Sequence, residues 1–338
     1  MEDKLSYDLF IKKIVSSIKD YLPADYSDAE VSVNKVCKNN DVVLDGLTIK
    51  SSNSNISPCI YLNSFYDDYL NKDYEMSALL DKIAKIRIDH NMELDFDTRH
   101  IIDYSMVKDR IVCRLINAES NAELLKDRPY KLIDDLCVTY HVALGNFGDG
   151  SMSCPITWNV FEQYGIDLAD LHETALENTS RLFPPTFKGI SETLGGMMLG
   201  ESTPDFTTAN DFMYVVSNKS GVNGASTVLN TKFMDSVSER FPDGYYILPS
   251  SIHEVLIVPA SPNMDISFLK NMVHEVNSNE VSPEEILSDH VYEYNVLNHE
   301  LHRADQDNSR SLSSAQDTTV FNEVSTQQPL QIKRVKHH

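Results

Sequence analysis

The sequence has no apolar run approaching the roughly 20 residues needed to cross a bilayer, and its opening residues, MEDKLSYDLFIKK, carry charges where a signal peptide needs an apolar stretch. Both features lead us to expect a cytoplasmic protein. Cysteine is scarce: Cys37, Cys59, Cys113, Cys137 and Cys154 are odd in number, far apart and without a C-x-x-C pair. This spacing argues against a disulfide framework or a zinc knuckle, and most of the five are expected to be buried thiols that act as small apolar groups. Basic charge is also short, with 29 Lys and Arg against 51 Asp and Glu, a formal net charge of -22. Proteins that hold the phosphate backbone gain affinity by releasing counterions at Lys and Arg contacts, so this bias argues against nucleic acid and anionic membranes as partners. Excess acid can imitate DNA, but that needs a dense one-sided array, and here the carboxylates are scattered among Lys and Arg. Solubility is the simpler reading of the charge.

With 338 residues and 41% hydrophobic content, the chain has enough apolar surface for a folded core. The patterning predicts an α+β protein of mixed or antiparallel sheets with packed helices. Leu5, Leu9, Phe10, Ile14, Ile18 and Leu22 recur at helical spacing up to Pro23. Alternating apolar residues on either side of Asn39-Asn40-Asp41 predict a hairpin, and Met76 to Ile86 predict a helix. Strands are expected at 60–62, 110–116 and 135–144. A helix is expected from Pro155 to a stop at Gly165, and another capped by Asp167 that ends before Pro184-Pro185. A Gly-, Ser-, Thr- and Pro-rich stretch near 195–210 suggests a boundary between a 1–195 region and a 210–296 β-α-β-β-α unit, whose last helix Asp265 would cap. Ser282-Pro283-Glu284-Glu285 has the form of a helix start. Residues 297–338, rich in Ser, Gln, Asp, Asn and Thr, are expected to form a disordered tail.

One stretch holds the residue types of a nucleophile–base–orienter set: Ser250, Ser251, His253 and Glu254, between two apolar strands. In an extended strand Ser251 and His253 share a face and Glu254 points to the other, so any acid that orients His253 must come from elsewhere. With Pro249-Ser250 as a two-residue loop, Tyr246 would lie opposite His253 and Tyr245 opposite Glu254. In the plainer reading the serines form the turn, His253 stacks on Tyr246 and Glu254 is solvated. Other candidates are weaker. His299-Glu300-Leu301-His302 lacks the four-residue spacing of a zinc protease helix. Adjacent carboxylates such as Asp67-Asp68 or Asp134-Asp135, the latter with His141, face opposite sides of a strand and chelate poorly. Gly145 to Gly150 lacks a phosphate-loop pattern and reads as a mobile loop, and Asn218-Lys219-Ser220-Gly221 reads as a turn. No cofactor and no metal are expected.

Arg110 to Asn117, Leu176 to Pro184 and above all Tyr246 to Val255 resemble an uncharacterised domain-of-unknown-function family found in anaerobic gut Firmicutes, over roughly residues 1 to 296. The resemblance implies an intracellular bacterial protein and carries no activity with it. The functional expectation is therefore a non-enzymatic interaction or accessory protein with a protein partner. A hydrolase or transferase using a Ser/His pair at 249–254 is the alternative, and an acidic DNA mimic the third reading.

Overall fold

The structure, a computed structural model, describes residues 4–51, 57–71, 74–89, 97–147, 150–199, 211–262 and 264–305. Helix α1 (Tyr7–Ser17) buries Phe10 and Ile14 and tightens into a 3-10 turn at Ile18–Tyr21 before Pro23. Strands β1 (Glu30–Cys37) and β2 (Val43–Lys50) form the predicted hairpin, with Cys37 opposite Val43 and the tip at Asn39–Asp41. Strand β3 (Cys59–Tyr61) adds to β2, followed by α2 (Leu62–Asn71) and α3 (Met76–Asp89). These elements close an N-terminal core around Phe10, Ile14, Leu47, Ile49, Phe65 and Ile83.

After a short α4 (Tyr104–Val107) the chain builds a four-stranded antiparallel sheet from β4 (Ile111–Asn117), β5 (Tyr130–Ile133), β6 (Leu136–Phe147) and β7 (Gly150–Pro155). Strand β4 pairs with one side of β6, and β5 and β7 share the other. Pro155, predicted to open a helix, ends β7 instead. Helix α5 begins later, at Trp158, and runs to Tyr164, stopping at Gly165 in the left-handed conformation (φ 64°). The Gly145-to-Gly150 stretch, expected as a loop, belongs largely to the β6–β7 hairpin; residues 148–149 lie outside the described residues. Asp167 caps α6 (Leu168–Leu182) through the Asp170 N–H, as predicted. Helix α6 then lies along the outer edge of β4. Its Thr179 Oγ1 accepts from the Cys113 N–H at 2.9 Å, and its Asn178 amide donates to the Ile111 carbonyl at 3.0 Å. These side chains occupy backbone groups that an edge strand would otherwise leave open.

The second large sheet contains β8 (Pro185–Gly189), β9 (Tyr214–Asn218), β10 (Tyr245–Leu248), β11 (Val255–Pro259), β12 (Tyr292–Asn295) and β13 (Glu300–Arg303), in the order β13-β12-β10-β11-β9-β8. Three helices accompany it: α7 (Ile190–Leu199), α8 (Thr231–Arg240) and α9 (Ile266–Asn279), the last capped by Asp265. One face, with Tyr214, Val216, Ile247 and Ile257, shares a core with Cys113, Leu115, Val138 and Tyr140 of the first sheet. The other face, with Leu248 and Val258, packs on Leu269 and Val273 of α9. This alternation follows from the period of two along each strand.

The first helix of the expected 210–296 unit is divided. A 3-10 segment, Gly224–Leu229, gives way to α8 at Asn230, whose side chain accepts from the Phe233 N–H. Strands β8 and β9, on either side of the 195–210 stretch, are hydrogen-bonded neighbours, so that stretch does not separate two sheets. The expected tail also begins too early. Glu300–Arg303 pairs with β12, and Asp305 is tied to Lys270 (2.9 Å), His290 (2.8 Å) and Arg303 (3.1 Å). These charge contacts hold a segment whose composition offers little apolar surface. Residues 306–338 lie outside the described residues.

Candidate functional site

The Pro249–Glu254 segment is a six-residue connection between β10 and β11, not a two-residue hairpin loop. Register places Tyr246 opposite Val258 and Tyr245 opposite Pro259, so neither tyrosine faces His253 or Glu254. The reason is a competing partner. The Leu287 and Ser288 N–H groups donate to the Ser250 and Pro249 carbonyls, the Ile252 N–H donates to the Glu285 carbonyl, and Ser251 bridges Ile286. Backbone pairing with 285–288 thus replaces the tight turn. It also holds Ser282-Pro283-Glu284-Glu285 as a turn rather than the predicted helix start.

His253 is half-buried, with about 30% of its side chain exposed, and both ring nitrogens are engaged. Nδ1 accepts the Asn223 backbone N–H at 3.2 Å, which places the proton of the neutral ring on Nε2. Nε2 lies 3.4 Å from Glu285 Oε1. The sequence required an acid from a distant segment, and Glu285 is that acid. The serines are arranged differently. Ser251 Oγ accepts from the His253 backbone N–H at 3.0 Å, so it faces the main chain and not the imidazole. Glu254 is half-buried and makes no hydrogen bond or ion pair with the described residues.

Two further contacts fix this geometry. Gly224 packs where a Cβ would lie 2.1 Å from Ser217 Oγ and 2.4 Å from the His253 carbonyl oxygen, so only glycine fits. From the N-terminal layer, the β1–β2 tip reaches the turn that carries Glu285. Asn39 donates to the Glu284 carbonyl at 2.9 Å, and the Asn40 amide donates to the carbonyls of Pro283 (2.7 Å) and Ile286 (2.8 Å).

Beside Asn223 a small cleft of about 20 Å³, room for about one water, lies between the sheets. Val112, Arg114, Ala143, Met152 and Ser153 line it from the first sheet, and Phe183, Asn218, Val222, Asn223 and Ser226 from the other side. Arg114 donates to Ser153 Oγ at 2.6 Å, and Ser153 in turn lies 3.5 Å from His141 Nδ1. Burial, then the charge of Arg128, lowers the Arg114 guanidinium to about 10. Burial, then Arg114 and Arg128, pushes His141 well below the usual imidazole range and keeps it neutral. The stretches that carry the family resemblance meet here: Val112 to Arg114, Phe183, and His253 through Asn223.

The remaining sequence candidates sit in structural settings. Asp135 accepts from Tyr292, Ser288 and Asn117, and Asp134 from the Arg303 N–H, so this pair docks the first sheet onto the C-terminal strands and does not meet His141. His299 and His302 belong to the β12–β13 hairpin, facing Asp235 and Glu293 respectively. Among the described residues, no group of three or more His, Cys, Asp or Glu is placed to hold a metal ion. No helix among them is long and apolar enough to cross a membrane. Sequence reasoning missed Glu285, Asn223 and Arg114. Only Arg114 left a local signal, as a charge inside an apolar strand in phase with Val112 and Ile116.

The arrangement defines an α+β protein of antiparallel sheets with a small cleft at their junction. Residues 7–296 match the model of a family of unknown function, DUF5688, and the chain belongs to that family. No curated protein and no solved structure matches it.

Proposed function

We propose that the chain is a cytoplasmic bacterial accessory protein that works by binding rather than by catalysis. The observation that carries this reading is the engagement of both nitrogens of His253. A general base for Ser250 or Ser251 needs an open lone pair toward the hydroxyl, and Nδ1 spends its lone pair on the Asn223 N–H. The alternative, a hydrolase or transferase acting through Ser250 or Ser251 with His253, is favoured by one contact, the ion-pair distance to Glu285. It requires the Asn223 N–H to leave Nδ1 and the Ser251 hydroxyl to turn from the main chain. The DNA-mimic reading has less support, because carboxylates such as Asp45, Asp68 and Glu123 face lysines rather than one another.

Two measurements on the full chain test the choice. Broad ester, peptide and phosphate substrates should show no turnover above that of His253→Ala; turnover that the substitution abolishes would overturn the binding reading. Affinity capture from native bacterial lysate should return a stoichiometric partner, and repeated recovery of none would count against an accessory role.

A further inference from the structure

Going beyond that reading, we propose that the small space beside β4 is a site for a single halide ion, chloride or bromide, held between the Arg114 guanidinium and the Asn223 side-chain amide. A guanidinium has five N–H donors, and Arg114 makes one hydrogen bond among the described residues, to Ser153 Oγ. The group is largely buried, no described carboxylate lies within ion-pair distance of it, and the charge that acts on it, Arg128, has the same sign. A positive charge kept in the interior without a counter-ion is costly, and an anion beside it removes much of that cost.

Size limits the anion. The cleft has room for about one water, so carboxylates, phosphates and sulfates are too large for it, whereas a halide is a single atom. The free groups around it are donors. Asn223 has its backbone fixed in the left-handed region (φ 53°) with its N–H on His253, while its side-chain amide has no partner among the described residues. The neighbouring polar groups are spent: Asn218 donates to the Val222 carbonyl and accepts from Ser220, and Ser226 donates to the Asn223 carbonyl. Arg128 is paired with Asp127 at 2.8 Å and His141 is neutral, which leaves one uncompensated positive charge. A water in the space would meet the N–H groups and leave that charge unbalanced. A monovalent anion does both. The ion would also join the first sheet, through Arg114, to Asn223, whose N–H holds the His253 ring.

The full chain, dialysed into gluconate, is titrated with chloride and with bromide at constant ionic strength, which removes general screening. Gluconate and inorganic phosphate serve as anions too large for the space. Either halide should raise the thermal midpoint by about 2 °C or more toward saturation. The protein should broaden the NMR line of chloride, and bromide, not gluconate or phosphate, should reverse the broadening. Arg114→Met keeps the stem and removes the charge, and halide affinity should fall about tenfold or more. Asn223→Gly keeps the left-handed backbone, removes the amide and should weaken binding several-fold; it is the independent variant if Arg114→Met does not fold. The proposal is overturned if the wild-type protein shows no halide-specific stabilisation or line broadening, if gluconate or phosphate displaces chloride as well as bromide does, or if affinity is unchanged in the variants that fold.

Discussion

Mild acid should destabilise the protein through His141, and the size of the effect can be worked out in advance. The imidazole is buried, with only 7% of the residue exposed, and lies between Thr139 and Ser153 at 3.5 Å from each. Burial, Arg114 and Arg128 all oppose protonation of the folded form, whereas in the unfolded chain the ring takes up a proton near pH ~6.5. Below that value the unfolded state binds more protons than the folded one, so stability must fall as pH falls. The contribution is fully present above the unfolded pKa and declines by about 1.4 kcal/mol per pH unit below it. Two pH units of acidification should therefore remove up to about 2.7 kcal/mol through this side chain alone. His172, lowered to about 4 by burial and then Lys131, acts in the same direction between about 6.5 and about 4, more weakly because it is partly solvated. Asp305 is held at about 2, so its loss of charge falls below this window. Urea unfolding at several pH values, on wild type and His141→Gln, separates the terms. Glutamine does not titrate, so the variant should lose about 2 kcal/mol less than wild type over the same two pH units. Parallel pH profiles, or a wild type that gains stability on acidification, would refute the reasoning.

Substitutions at three other positions have defined outcomes. Asp305→Asn removes a carboxylate shared by Lys270, His290 and Arg303, and should cost about 2 kcal/mol in urea unfolding; an unchanged midpoint would count against a stabilising network. Burial would raise this carboxyl, but its three hydrogen bonds outweigh burial, so the stabilisation lost by Asp305→Asn should also fade in wild type between pH ~4 and about 2. Asn40→Gly keeps the left-handed backbone (φ 59°) and loses the side-chain bonds to Pro283, Ile286 and Asn121, for about 2 kcal/mol; Asn40→Ala should cost about 1 kcal/mol more, and equal losses would show that backbone strain is not a factor. Gly224→Ala drives a methyl into backbone and the Ser217 hydroxyl, and should cost about 3 kcal/mol or more; a thermal midpoint within about 2 °C of wild type would contradict the packing.

Legibility followed locality. The β1–β2 hairpin, the face of α3 and the caps at Asp167 and Asp265 were readable because each depends on residues within a few positions of one another. The failures involve partners far along the chain. Ser282 to Glu285 carries a good helix-start pattern, yet pairing with Pro249–Ile252 and the reach of Asn39 and Asn40 hold it as a turn. The same pairing hid the true length of the 249–254 connection. Residues 300–305 looked unstructured because their order comes from distant partners: pairing with β12, the packing of Leu301 and Ala304 on the cores, and Asp305 with its basic neighbours. At the site, His253 was visible as a residue type between two strands. The acid that faces it, the N–H that occupies its other nitrogen and the isolated charge of Arg114 come from separate segments, and sequence spacing does not report such meetings.

The β1–β2 tip touches more than the Glu285 turn. The Asn40 N–H donates to Asn121, and the Asp41 carboxylate accepts the Glu123 and Leu124 N–H groups. One three-residue corner thus bolts the N-terminal layer to both flanking segments at once. Opening that corner frees the loop before β5 and the carboxylate facing the imidazole together, so loosening the first hundred residues would be felt as a changed Glu285–His253 distance some two hundred positions downstream.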